Sequence, residues 1–178
     1  MPQIRETAFE LAAQLESSQT SIVFAESCTA GLVAASLAQV PGISRWLCGS
    51  AVTYQESVKI AWLDVAKSDL QKHTAVSDVV TRQMAIGVLK KTPHANISAA
   101  VTGHLGPLAP KELDGVGFVA IAIRRQNVVQ ANECQCIADS RFELRQQSRV
   151  DRQYEAAAIV LEFVLKSIER HLQRDSGV

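Results

Sequence analysis

The chain has 178 residues, 47% hydrophobic and 20% charged, with 18 Lys plus Arg balanced by 18 Asp plus Glu. That length supports one domain with a substantial core, and the even charge leaves no basic face for nucleic acid or an anionic membrane. No apolar run approaches the ~20 residues that a spanning helix needs.

Residues 3–17 place Ile4, Ala8, Leu11, Ala12 and Leu15 on one stripe, the pattern of an amphipathic helix. Glu6 and Glu10 interrupt its apolar residues, so it is not read as a secretion signal. A cytoplasmic chain with four reduced thiols, Cys28, Cys48, Cys134 and Cys136, is the expectation. "SIVFA" (21–25) reads as a short buried strand, and 28–40 as a helix of small apolar residues ending before Pro41-Gly42. "WLCGSAVTY" (46–54) predicts a strand, "QESVKIAWL" (55–63) a short helix, and 66–72 a helical turn. Ser77 caps a helix over 77–91, "NISAAVTG" (96–103) is a strand, and the turn-formers in 104–115 predict a loop. "VGFVAIAIR" and "VVQANECQCI" form a hairpin across "RQN", and 140–172 read as helix throughout, with "RDSGV" as a frayed tail. Cys134 and Cys136, two apart, share a strand face, but two thiols without a nearby His make no metal site. No repeat or linker divides the chain. Alternating strands and helices with a late hairpin predict a single α/β domain, a three-layer α/β/α sandwich with a mixed sheet.

Three predicted strand ends carry chemistry: Glu26–Thr29, Tyr54–Lys59 and Thr102–Gly106. Ser27 is either a helix N-cap or a nucleophile; Thr29 can take the cap and release Ser27. The free N–H groups of a helix start would hold an oxyanion or phosphate. Cys28 is the rival nucleophile, but no histidine is spaced as its base. Lys59, between Val58 and Ile60, is a candidate base: apolar surroundings lower an amine pKa, and a neutral amine accepts a serine proton. The bland alternative is a lysine with its head in water. Tyr54 can bond to either group. The turn at Thr102, Gly103 and His104 can offer backbone N–H groups to an anion. Arg141 and Arg145, four apart on the predicted last helix, can clamp a phosphate or carboxylate.

"AESCTAG", "AVTYQESVK", "HTAVS", "TGHLGP" and "GVGFVAIA" occur in the order and spacing of the CinA C-terminal-domain family, which the chain resembles from about Ile4 to Leu165. That family includes the nicotinamide-nucleotide amidases. The resemblance implies a three-layer α/β/α fold, commonly dimeric, and so a homodimer. It also implies Ser27 as nucleophile, Lys59 as base and Tyr54 beside them, cleaving the carboxamide of nicotinamide mononucleotide without metal or other cofactor. Cys28, Thr29, Ala30, Gly31, Thr102, Gly103, His104, Arg141 and Arg145 are the positions expected to line the substrate. The chain departs from the family pattern where Ala30 replaces a glycine and where Thr102–Ala109 ("TGHLGPLA") replaces S-G-I-A-G-P-x-G-G. It departs again at Asp114–Val119 ("DGVGFV"), in place of K-P-V-G-T-V. These departures predict methyls and an imidazole in space that substrate uses in the amidases. The alternatives are a paralogue that binds a nucleotide or a protein partner with weak or no turnover, and an amidase for another small substrate.

Overall fold

The computed structural model describes residues 2–125 and 133–175, with side chains described over 4–125 and 133–171. Five strands, β1 (Ile22–Glu26), β2 (Leu47–Val52), β3 (Ile97–Gly103), β4 (Val116–Arg124) and β5 (Cys134–Glu143), form one sheet in the order β2-β1-β3-β4-β5. β1 runs parallel to β2 and β3, while β4 and β5 are antiparallel additions, so the sheet is mixed as expected. Six helices cover it: α1 (Pro2–Ser17), α2 (Leu32–Leu37), α3 (Glu56–Leu63), α4 (Lys67–His73), α5 (Asp78–Lys91) and α6 (Arg149–Asp175).

The two layers follow from the two-residue alternation of the strands. Ile22 and Phe24 of β1, Ile97, Ala99 and Val101 of β3, and Val119 and Ile121 of β4 point into a core closed by α1, α2 and α6. Val23, Ala25, Ala100, Ala120 and Ala122 point the other way, to α3, α4 and α5. That second face is built from small residues, which brings α5 close enough for the Ser98 hydroxyl to donate to the Ala85 carbonyl at 2.7 Å. Gly87 lets α5 come equally close to the end of α3, since a Cβ there would lie 2.0 Å from the Leu63 carbonyl oxygen. Ser77 caps α5 as expected, accepting from the Val80 amide at 3.3 Å. Cys134 and Cys136 both pack against this second core.

Two expected boundaries are corrected. Residues 140–143 belong to β5, not to the last helix: Arg141 pairs with Phe118 and Glu143 with Val116 in the β4 ladder. Burial confirms the strand period, with Ser140, Phe142 and Leu144 turned inward and Asp139, Arg141 and Glu143 outward. The helix begins only at Arg149, after a reciprocal cap. The Ser148 hydroxyl donates to the Asp151 carboxylate at 2.6 Å and accepts from the Asp151 amide at 3.1 Å. The helix expected from Cys28 shrinks to Leu32–Leu37, because Ala30 (φ 53°) and Gly31 (φ 95°) adopt left-handed backbone that no helix continues. The "RQN" turn, apart from Arg125, and the start of the second hairpin strand lie outside the described residues. No helix in the described residues is long and apolar enough to cross a membrane.

Candidate active site

Because β1, β2 and β3 are parallel, their carboxyl ends meet at one edge of the sheet, where helices lead away and ligands of such folds bind. β1 ends on Glu26, which is fully buried. One of its oxygens accepts from the Thr29 hydroxyl (2.7 Å) and the amides of Gly31 (2.9 Å) and Val33 (3.1 Å). The other accepts from the Ala34 amide and the Ser50 hydroxyl, both at 3.0 Å. Five donors and no acceptor surround the group, so it sits there as a carboxylate, and the first amides of α2 satisfy it. This corrects the expected cap. Neither Ser27 nor Thr29 caps α2; Glu26 does, reaching across the turn, and Thr29 is a donor to it. The amides at 31, 33 and 34 are therefore occupied, and the helix start is not open to a substrate oxyanion.

Ser27 follows as a half-buried residue whose backbone is held at both ends: its amide donates to Val101 (3.1 Å) and its carbonyl accepts from Ala30 (3.1 Å). Among the described residues its hydroxyl makes no hydrogen bond and the amides of Cys28 and Thr29 donate to no oxygen, the Cys28 amide lying against its own thiol. Those two amides, not the helix start, are the N–H groups left beside it. Ala30 holds the turn at a strained angle for a residue with a Cβ. Ala30→Gly is expected to raise stability by about 1 kcal/mol, read as a higher urea midpoint at unchanged slope; a lower midpoint would contradict the strain.

The β2 end supplies the second group. Lys59 lies one turn into α3 and is 1% exposed. Its amine donates to the Thr53 carbonyl at 2.5 Å, and the Thr53 amide in turn donates to the Glu26 backbone carbonyl at 2.8 Å. Burial lowers the Lys59 pKa from 10.5 to about 8, with Cys28 and Glu56 pulling the other way. Cys28 is itself buried and pushed up to about 12, chiefly by desolvation. It stays a neutral thiol, which removes it as the rival nucleophile and leaves burial and Glu56 to set the lysine. Its sulfur packs against Gly103, where a Cβ would lie 3.1 Å away.

Tyr54 is half-exposed, and its hydroxyl accepts from the Arg149 guanidinium at 2.6 Å. The same guanidinium donates to the Gly106 carbonyl at 2.6 Å. Arg152, one turn on, forks onto Asp114 (2.7 and 3.1 Å) and holds that carboxyl below the usual range, with a smaller pull from His104. The first turn of α6 thus ties the 104–115 loop to Tyr54 and bounds a cleft of about 460 Å³ with Leu105, Gly106, Lys111 and Asp114. A wider cleft of about 930 Å³ at the opposite end of the sheet, lined by Asn96, Arg124 and Gln135 among others, contains none of these groups.

Several expected lining residues fall elsewhere. Thr102 is fully buried, and its hydroxyl pairs with Thr81 at 3.0 Å. Thr81 spends its own proton on the Ser77 carbonyl, so Thr102 is the donor in a tie between β3 and α5, not a contact for substrate. Arg141 is on the β5 edge strand, paired with Glu143 at 2.6 Å. Arg145 lies in the loop before α6 and borders a different cleft, with Glu155 and Tyr154. Neither arginine opens the last helix; Arg149 does. Its signal was Ser148-x-x-Asp151, a helix-start box that places Arg149 at the first helical position. His104 is half-buried, its amide donating to Val116 and its carbonyl accepting from Gly115, both at 2.9 Å. Of the apolar departures in the loop, Leu105 is buried and Leu108 fully exposed, and both border that cleft together with Ala109.

The fold and the site define an open-sheet α/β domain with a serine whose hydroxyl is unpartnered among the described residues and a buried lysine at the adjacent strand end. The family model described as the CinA C-terminal domain matches residues 4–159, and the chain belongs to that family. A CinA-like protein of Trichodesmium erythraeum (strain IMS101) is 41% identical over 120 residues, 67% of this chain and 28% of that protein. One from Desulfotalea psychrophila is 42% identical over 102 residues, 57% and 24% of the two chains. The chain thus spans about a quarter of the length of these curated relatives. The crystal structure of competence/damage inducible protein CihA from Agrobacterium tumefaciens superposes with a TM-score of 0.80 at 27% identity, over 94% of this chain and 96% of that one. A CinA superfamily protein from Klebsiella pneumoniae 700603 gives 0.81 at 21% identity over 94% and 98%, a likeness of fold.

Proposed function

We propose that the chain is an amidohydrolase acting on the carboxamide of a pyridine nucleotide, with Ser27 as nucleophile and Lys59 as base. One observation carries the reading: the Lys59 amine is buried, has a depressed pKa, and rests on the carbonyl of Thr53, whose amide bonds to the residue before Ser27. A serine needs a base, and an amine that is neutral near pH 8 is one. The Ser27 oxygen attacks the carboxamide carbon while its proton passes to Lys59. The Cys28 and Thr29 amides receive the developing oxyanion, a type of contact typically worth about 3–4 kcal/mol per donor. The C–N bond breaks, the Lys59 ammonium protonates the departing nitrogen, and ammonia leaves. Water then attacks the acyl-serine, gives a proton to Lys59, and Ser27 recovers it as the acid departs. Tyr54 borders this centre, and Arg149 with Lys111 supplies positive charge for the nucleotide phosphate in the cleft beside it. The substrate class rests on the family resemblance.

The test is ammonia release from nicotinamide mononucleotide. The wild type is expected to release ammonia and Ser27→Ala to lose about 10³-fold or more. Because the base must be unprotonated, kcat/KM rises with pH and levels above about 8, the Lys59 value. Release that survives Ser27→Ala, or none from the wild type at high enzyme concentration, ends this reading. Nucleotide binding by calorimetry without release supports the binding paralogue; turnover of other carboxamides alone supports a different substrate.

A further inference from the structure

We infer that Thr53 is a positioning residue for Lys59: its buried, unpartnered hydroxyl is the acceptor held in reserve for the ammonium that Lys59 becomes on taking the serine proton. The inference rests on the Ser27–Lys59 reading above. Among the described residues, the Thr53 hydroxyl is the one buried side-chain polar atom without a hydrogen-bond partner, and the residue is fully buried. Leaving such a group unpaired costs about 1–3 kcal/mol, and valine has the same shape without that cost. A buried orphan therefore calls for a role. The rest of Thr53 is fixed: its amide donates to the Glu26 backbone carbonyl at 2.8 Å and its carbonyl accepts from the Lys59 amine at 2.5 Å. The orphan hydroxyl thus belongs to the residue on which the amine already rests.

Counting donors shows what the hydroxyl can do. The neutral amine has two N–H groups and one lone pair. One N–H goes to the Thr53 carbonyl, and the lone pair faces the serine proton. After transfer the nitrogen has three N–H groups and a full charge. One stays on the carbonyl, one serves the seryl oxygen or the departing nitrogen, and the third needs an acceptor. A rotation of the Thr53 side chain, or one bridging water, brings its hydroxyl oxygen there. No anion does this work. The groups acting on Lys59 are Cys28, from the turn after β1, and Glu56, on its own helix; α5, packed on α3, adds none. Cys28 remains a thiol, and Glu56 is solvent-exposed. Beyond the outlying pull of Glu56, the ammonium depends on the carbonyl and the hydroxyl of one residue.

The experiment follows the Lys59 side-chain resonances in protein labelled with ¹³C,¹⁵N-lysine, titrated from pH 6 to pH 11. The Thr53→Val and Thr53→Ala variants are expected to lower the Lys59 midpoint by about one pH unit, a tenfold loss of proton affinity. Thr53→Ser, which keeps the hydroxyl, is expected to restore it. In turnover, the acidic limb of the Thr53→Val profile moves down with that midpoint and kcat falls about tenfold at unchanged KM. An unchanged Lys59 midpoint in either hydroxyl-free variant overturns the inference, as does a Thr53→Ser protein that titrates like Thr53→Val. The titration needs no substrate. A wild type that releases no ammonia would end the amidase reading while the role of Thr53 toward Lys59 is still decided by the midpoints.

Discussion

Replacing Glu26 by alanine is expected to cost about 5 kcal/mol of folding stability, and by glutamine about 3 kcal/mol. Few single substitutions in a domain reach such values, and total stabilities of 5–15 kcal/mol make them decisive. The reason lies in what surrounds the carboxylate. Alanine strands three backbone amides and two hydroxyls, of which the hydroxyls can turn away and the amides cannot. Glutamine preserves the shape but replaces one acceptor by a donor. Placed at the oxygen facing Ser50, its NH₂ group meets a hydroxyl that can reverse and an Ala34 amide that cannot. Placed at the other oxygen, it meets two backbone amides, Gly31 and Val33. Either way a buried donor faces a donor. Urea unfolding of both variants measures the cost, and hydrogen exchange at residues 31, 33 and 34 locates it. A Glu26→Gln loss under about 1 kcal/mol would mean that the turn does not depend on this carboxylate.

Lys59→Met should separate stability from activity. Ammonia release is expected to fall about 10³-fold or more, since the serine loses its base. Stability at neutral pH is expected to rise. Lys59 is the rare buried amine whose folded pKa, about 8, lies below its ordinary 10.5. Below pH 8 both folded and unfolded chains hold the proton, and the folded state bears the full penalty of the buried ammonium, about 3 kcal/mol. Between pH 8 and 10.5 the folded amine is neutral while the unfolded one is still charged, so wild-type stability climbs with pH. The advantage of Lys59→Met is therefore greatest below pH 8 and shrinks toward 10.5. Cys28 acts oppositely: its folded value near 12 against 9.0 penalises folding as pH rises above 9, but it does so in both proteins and leaves the difference largely untouched. A variant less stable than wild type at pH 7, or a stability difference flat from pH 7 to pH 10, would contradict the buried-amine account.

Most of the fold was legible because its elements follow local patterns. The apolar runs "SIVFA" and "VGFVAIAIR", the Ser77 cap and the Pro41-Gly42 stop all act within a few residues and predict what is found. Over 140–148 the helical spacing of Leu144, Ser148 and Tyr154 points to helix where the structure has strand and loop. The β4 ladder carries the second hairpin strand past Ile137 to Glu143, and pairing with β4 overrides the local helical spacing there. The site was legible to the extent that its groups sit at strand ends. Ser27, Lys59 and Tyr54 could be named from such positions and from the family resemblance. Their neighbours could not: Arg149 reaches Tyr54 across 95 positions of sequence, and Gln153 reaches the Cys28 carbonyl across 125.

By itself, the sequence determined the elements, the two-faced strands with small residues on one side, and the presence of a serine and a lysine at successive strand ends. These depend on side-chain size, polarity and spacing along the chain. Tertiary structure decided which polar groups have partners. Glu26 looks from the sequence like one more strand-end residue, yet folding surrounds it with five donors and makes it the cap that Thr29 was expected to be. Thr102 and Arg141 looked available and are engaged elsewhere, while the Thr53 hydroxyl is buried and left over. Desolvation acts the same way: nothing local to "SVKIAW" lowers the Lys59 pKa until the layers of the fold close over it and exclude water.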